Sequence, residues 1–231
     1  MPIPLQHFRG KQNGLICTCV QGRERVAIDE LSHNVSRLMD IIAPTKASVS
    51  HHKTISSQLE EELSDIRKGK TSTRIGTKVD IGKVNCLVCY ALPQYPSSTS
   101  IAEGLMKEAK SGGVSARFLQ RILPFEFVCH CSEMADMFTP WVRDHIQNIK
   151  QNEDGLISYK VEFKSRFSQN ISRSDVHAIF DEVVVPGFFV DLVNAKFVFI
   201  VEVIKNVMFC GLVQNWNDFK KYNINSLMVT S

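Results

Sequence analysis

Residues 190–223, VDLVNAKFVFIVEVIKNVMFCGLVQNWNDFKKYN, hold two apolar runs separated by only two polar residues. The first, FVFIVEVI from Phe197 to Ile204, is apolar on both parities except at Glu202, the pattern of a strand covered on both faces. Lys205 and Asn206 interrupt it, and VMFCGLV from Val207 to Val213 follows. Two such runs with so short a join predict a buried antiparallel hairpin, with Asn206 tolerating a positive φ at the turn. A buried hairpin carries no chemistry of its own, but it can hold neighbouring basic side chains on a rigid surface.

The rest of the chain supplies elements to pack on that hairpin. Residues 1–13 read as a loose arm and residues 14–20 as a first strand. A helix is predicted over 23–42, with Val26, Leu31, Val35, Leu38 and Ile42 on its apolar face and Pro44 beyond its end. A second, more polar helix is predicted over 55–67, with Ser57 and Glu60 as a capping box. A glycine-rich loop leads into a strand near Val79 and Ile81, and residues 85–92 form another strand. A helix follows over 101–111, capped by Ser98 or Ser100, and residues 117–131 supply a closing strand. This order predicts an α+β protein whose N-terminal domain, residues 14–115, is ferredoxin-like βαββαβ with an inserted helix.

The second domain is placed at 116–231. Met134, Met137, Phe138, Trp141 and His145 recur at helical spacing, so 132–150 is an amphipathic helix that Pro140 breaks near Phe138. From Tyr159 to Phe167 the chain alternates, with Tyr159, Val161, Phe163 and Phe167 on one face and Lys160, Glu162, Lys164 and Arg166 on the other. Ser172 or Ser174 caps a helix through Val176, Ile179, Phe180 and Val183.

Composition narrows the function classes. The 231 residues are 44% hydrophobic and 22% charged, enough for a core without staples. No apolar run reaches the roughly 18–20 residues of a membrane span. Seven cysteines, mostly inside apolar runs, read as reduced buried thiols of an intracellular protein. The pattern Cys86-x-x-Cys89 lacks a second pair, and Cys129 and Cys131 lie on a strand-like run beside His130, so no metal site is expected. Gly69-Lys70-Thr71 lacks the upstream glycine of a phosphate loop. Charge is more telling. The chain is +3, yet residues 65–121 carry ten Lys and Arg against Asp65, Asp80, Glu103 and Glu108, which is +6. Basic charge therefore concentrates in the middle, as an RNA-binding surface requires. On a strand, Arg117 and Arg121 share a face opposite Gln120 and could grip successive phosphates; a plain solvated face is the competing reading.

Several of these pieces, taken in order, resemble a known family. They are residues 14–20 with Gly22-Arg23-Glu24, then Arg117-Phe118-x-Gln120-Arg121-x-x-Pro124, then Tyr159-Lys160-Val161-Glu162-Phe163-Lys164-x-Arg166. Val190-Asp191-Leu192-x-Asn194, residues 201–207 and Lys220-Lys221-Tyr222-Asn223 complete the set. The set is similar to stand-alone THUMP domain-containing adaptors of the tRNA cytidine N4-acetyltransferase. Two departures are visible: Ala195 stands where the family has proline, and Gly211 is displaced from the family's usual glycine.

The resemblance implies an N-terminal ferredoxin-like domain followed by a THUMP domain. It implies a non-catalytic, monomeric, nuclear or nucleolar protein that binds tRNA by its folded shape. It further implies presentation of that tRNA to a separate RNA cytidine acetyltransferase for N4-acetylcytidine formation. Acetyl-CoA and ATP would belong to the enzyme, leaving this chain without cofactor or metal. Carried over by position, Arg117, Gln120, Arg121, Lys160, Lys164, Arg166, Lys205 and Asn206 are the expected RNA contacts. The alternatives are a protein-interaction module without RNA affinity and a small ferredoxin-like hydrolase.

Overall fold

The computed structural model describes residues 3–5, 8–42, 75–82, 84–168 and 171–228. The polar helix expected over 55–67 and the Gly69-Lys70-Thr71 stretch lie outside them. The first half comprises β1 (Ile3–Pro4), β2 (Gly10–Cys19), α1 (Glu24–Ile42), β3 (Thr77–Asp80), β4 (Leu87–Ala91) and α2 (Ser98–Lys110). Next come β5 (Leu119–His130), a 3-10 turn (Cys131–Glu133), a π-helical turn (Met134–Phe138) and α3 (Thr139–Asn152). The chain closes with β6 (Ile157–Arg166), α4 (Arg173–Val183), β7 (Phe188–Val190), β8 (Phe197–Ile204), β9 (Val207–Val213) and α5 (Ile224–Met228). Among the described residues no helix is long and apolar enough to cross a membrane.

The nine strands of the described residues form one mixed sheet in the order β1-β3-β4-β2-β5-β9-β8-β6-β7. The pairings β1/β3, β6/β8 and β6/β7 are parallel; the rest are antiparallel. β5 joins the halves, because it pairs with β2 on one side and β9 on the other. The hairpin forms as read: every residue of β8 is buried, and β9 returns after a two-residue turn. The positive φ falls on Lys205, at 57°, rather than on Asn206.

Three apolar cores hold the layers. One packs α1, α2 and α5 on the N-terminal part of the sheet around Leu15, Leu31, Leu105 and Tyr222. Another packs α3 and α4 on β6, β8 and β9, where Phe180 meets Phe199 at 4.9 Å between ring centroids. The third lies beneath Phe8, Phe125 and Phe209, which contact one another edge to face.

Several expectations are corrected. Residues 10–13 belong to β2, and Phe8 is buried, so the stretch expected to be a loose arm is partly built into the sheet. On α1 the buried face runs through Ala27, Ile28, Leu31, Val35 and Leu38, leaving Val26 and Ile42 exposed. Ser97, not Ser98 or Ser100, caps α2: its hydroxyl accepts from the Ser100 N–H. Ser172 caps α4 in a reciprocal box with Asp175. The break near Phe138 occurs, since a π-helical turn ends there and Pro140 sits in the first turn of α3.

Candidate functional site

Near the middle of the sheet lies an open groove of ≈ 460 Å³, lined by Thr18, Cys86, Gln120, Arg121, Lys164, Arg166, Asn223 and Asn225. Three parts of the chain build it. The first is a bulge where β2 meets β5: Thr18 pairs with Arg121 but Cys19 pairs with Leu119, so Gln120 has no partner across the ladder. A bulge re-aims side chains, and here both Gln120 and Arg121 reach the groove. Strict alternation put these two on opposite faces; the extra residue is why that expectation fails.

The second part is the end of β6. Lys164 pairs with Glu202 of β8, and the Arg166 Nε lies 3.5 Å from a Glu202 carboxylate oxygen. Glu202 is only 5% exposed, a buried carboxylate beside Arg166. Burial pushes its carboxyl above the usual glutamate range, and Arg166, Lys164 and Arg121 pull against that shift without cancelling it.

The third part is the segment after β9. Lys220, Lys221 and Tyr222 all adopt left-handed φ angles of 50°, 59° and 57°. Such angles cost a non-glycine residue about 1–2 kcal/mol each, so the surroundings must impose them. Tyr222 supplies the anchor. Its ring is fully buried, its hydroxyl donates to the Gln214 carbonyl at 3.2 Å, and its own carbonyl accepts from the Ile122 N–H at 3.0 Å. The segment thereby bridges Asn223 to Arg121 and brings Asn225 alongside.

Of the eight residues expected from sequence, Gln120, Arg121, Lys164 and Arg166 gather in this groove. The other four do not line it. Arg117 precedes β5; its guanidinium and that of Arg23 each sit 5.5 Å from the Phe118 ring centroid, and Glu30 accepts its backbone N–H. Lys160 is buried rather than on a solvent face. Its ammonium lies 3.2 Å from Glu162, donates to the Leu192 carbonyl and sits over the Trp216 ring. Lys205 and Asn206 occupy the hairpin turn, where Lys205 donates its N–H to the Arg166 carbonyl and Asn206 accepts from the Cys131 N–H. Phe167 has left the strand, with φ 57° and 69% exposure.

Among the described residues, the basic middle of the sequence does not form one surface. Arg67, Lys68, Lys70, Arg74 and Lys83 lie outside the described residues. Lys110 packs over Phe219, and Lys78 lines a separate recess with Glu24 and Asp80. Among the described members of that set, Arg121 alone reaches the groove. Thr18, Glu202 and Asn225 were missed; only the Asn223 motif carried a signal. Among the described residues no cluster of metal-ligating side chains exists, and Cys89 is a buried thiol pushed well above its ordinary range by desolvation. Three cations with flanking amides and a hydroxyl suit an oxyanion, and above all phosphate.

Comparison with known proteins places part of this site in a family. The THUMP domain family matches residues 134–213, which include Lys164, Arg166 and Glu202. An uncharacterized protein of Schizosaccharomyces pombe, C25H2.10c, is 20% identical over 222 residues, covering 94% of the chain and 76% of that protein. The THUMP domain-containing protein 1 homolog of Drosophila melanogaster is 27% identical over 153 residues, 64% of the chain. The chain spans only 45% of that relative's length. Among solved structures, PH1313 from Pyrococcus horikoshii Ot3 superposes with a TM-score of 0.47 at 11% identity, over 88% of the chain and 56% of its own. A 4-thiouridine synthetase solved with RNA and ATP gives 0.42 at 12% identity, over 88% and 42%. The chain thus carries a THUMP domain over residues 134–213.

Proposed function

We propose that the chain is a non-catalytic tRNA-binding adaptor that presents tRNA to a separate RNA cytidine acetyltransferase for N4-acetylcytidine formation. The observation that carries this reading is the groove itself. It draws Arg121 from the strand shared by both halves and Lys164 and Arg166 from the THUMP half into one cationic trough. Folded RNA offers phosphates and 2′-hydroxyls more readily than base edges, and guanidinium, ammonium and amide groups match those acceptors. The THUMP match over residues 134–213 supports RNA as the ligand. In this reading residues 116–231 form the THUMP unit. Residues 14–115 supply three strands of a ferredoxin-like unit, and β5 of the following unit completes the antiparallel order β3-β4-β2-β5 that supports it. The chain would act as a monomer in the nucleus or nucleolus and use neither acetyl-CoA nor ATP. Its contribution is a raised local concentration of tRNA at the enzyme.

The experiment is tRNA binding by fluorescence anisotropy across a salt series, with wild type and an Arg121→Ala/Lys164→Ala/Arg166→Ala variant. Each lost phosphate contact should reduce the slope of log K against log salt by roughly 0.7–0.9, so the triple variant should lose about two to three. Equal affinity and slope in both proteins would remove the groove from the reading. Acetylcytidine unchanged in tRNA from cells lacking the protein would remove the adaptor role.

A further inference from the structure

Among the described residues, the last strand of the sheet, β7, has no neighbour on its outer side. Its inner side is used: the Ile157 N–H donates to the Gly187 carbonyl and the Asp191 N–H to the Tyr159 carbonyl. In a parallel ladder these bonds take alternate residues, so the N–H and C=O of Val190 face outward. An edge of this kind is usually blunted by lysine, proline or a covering loop. Here it is framed by exposed apolar side chains instead: Phe189, Val190, Leu192 and Val193, with Leu156 beside them at 80% exposure. The loop bearing Leu192 and Val193 is also held rigid. Asp191 accepts from the N–H groups of Val193 and Asn194 at 2.8 Å each, Lys160 binds the Leu192 carbonyl, and Asn217 binds the Val193 carbonyl. A fixed loop that aims two apolar side chains at water is a preorganised contact.

We propose that this edge is a protein-docking surface, and that its occupant is an extended segment of a partner protein that adds a strand beside β7. The open backbone groups call for a strand, and the apolar frame calls for alternating apolar side chains on it. Charge sets the rest. Around the edge Glu153, Asp154, Asp181, Glu182 and Asp191 stand against Lys150, Lys196, Arg143 beside Glu182 and the buried Lys160 beside Asp191, so the rim is acidic by a single charge. Asp154 and Asp181 favour a segment flanked by lysine or arginine. The edge and the groove lie at opposite ends of β6. Seven residues separate Tyr159 from Arg166, or about 23 Å at ~3.3 Å per residue, so both surfaces can be occupied together.

The inference does not depend on RNA binding, and its test is separate. Random dodecapeptides displayed on phage are selected on the full chain, and the enriched sequences are synthesised for binding titrations. The expected result is alternating apolar residues with basic flanks, and at least tenfold weaker binding to a Leu192→Ser/Val193→Ser variant. Both side chains are more than two-thirds exposed, so that variant keeps the fold. A Val190→Pro variant removes the outward N–H alone and should lose the peptide as well. No enrichment, or enriched peptides that bind all three proteins equally, overturns the inference. A dimer in sedimentation that the same substitutions dissolve would assign the edge to a second copy and also overturn it. tRNA affinity should be unchanged throughout; its absence in the wild type would refute the RNA reading and leave this one standing.

Discussion

Gly211 lies in β9 against the backbone of Pro124 and Phe125 in β5, and replacing it by alanine tests how tight this seam is. A Cβ built there would lie 3.2 Å from the Pro124 carbonyl carbon and 3.3 Å from the Phe125 Cα, and closer still to the Pro124 oxygen. Every one of those atoms is backbone in the middle of the sheet, so none can swing aside. Overpacking of this kind costs about 1–3 kcal/mol. The φ of Gly211 is not positive, so the change also removes roughly 0.4–1 kcal/mol of chain entropy from the unfolded state. The net expectation is a destabilisation of about 1–2 kcal/mol. For a chain of this size that lowers Tm by about 2–4 °C per kcal/mol, giving a drop of roughly 2–8 °C in thermal unfolding followed by circular dichroism. Gly104→Ala is the matched control. Its added methyl meets only the tip of the Leu38 side chain, which can turn, while the helix gains up to ~1 kcal/mol of propensity. A Tm for Gly211→Ala within about 1 °C of wild type, or a larger drop for Gly104→Ala, would refute the reasoning.

Glu202→Gln should be more stable than wild type at pH 7 and bind tRNA more tightly. The Glu202 carboxyl is raised by burial, so its cost is absent below the ordinary value of 4.5 and grows as pH rises through the folded value; the two proteins should converge in acid denaturant titrations. His145 gives a slope of the same sign from a different cause. Burial alone would lower its pKa, but Glu126 at 2.9 Å and the Trp141 carbonyl at 2.8 Å outweigh that and raise it. Its stabilisation is full below about pH 6.5 and fades as pH climbs through the folded value, a slope that His145→Gln should flatten. Tyr222→Phe removes the bond to Gln214 and should cost about 1 kcal/mol in urea unfolding, with tRNA affinity lowered because Asn223 is released. Unchanged affinity in that variant would show that the strained segment is structural only.

The hairpin of Phe197 to Val213 was legible because its signal is local: two short runs apolar on both parities, joined by two polar residues, read as paired inner strands. The clustering of Arg121, Lys164 and Arg166 was legible only as composition and as a resemblance, since nothing in a sequence reports which strand ends meet. The failures have physical causes of the same kind. Lys160 reads as solvent-facing by alternation, yet Trp216 and the Leu192 carbonyl, some 56 and 32 residues away, close over it. Arg121 and Gln120 change faces because of one unpaired residue in a ladder. Glu202 looked like a lone polar interruption; its meaning depends on cations that come from two other strands.

β5 gives the molecule a spine with two owners. The matched THUMP segment begins at residue 134, four residues after that strand has ended, yet its sheet rests on the strand's far end through Phe127, Val128, Cys129 and His130. Cutting the chain on either side of β5 would orphan one half, stripping a full row of backbone hydrogen bonds from whichever piece lost it. Any attempt to lift this domain out by itself, whether by a protein engineer or by recombination between genes, must carry Leu119 to His130 along as luggage.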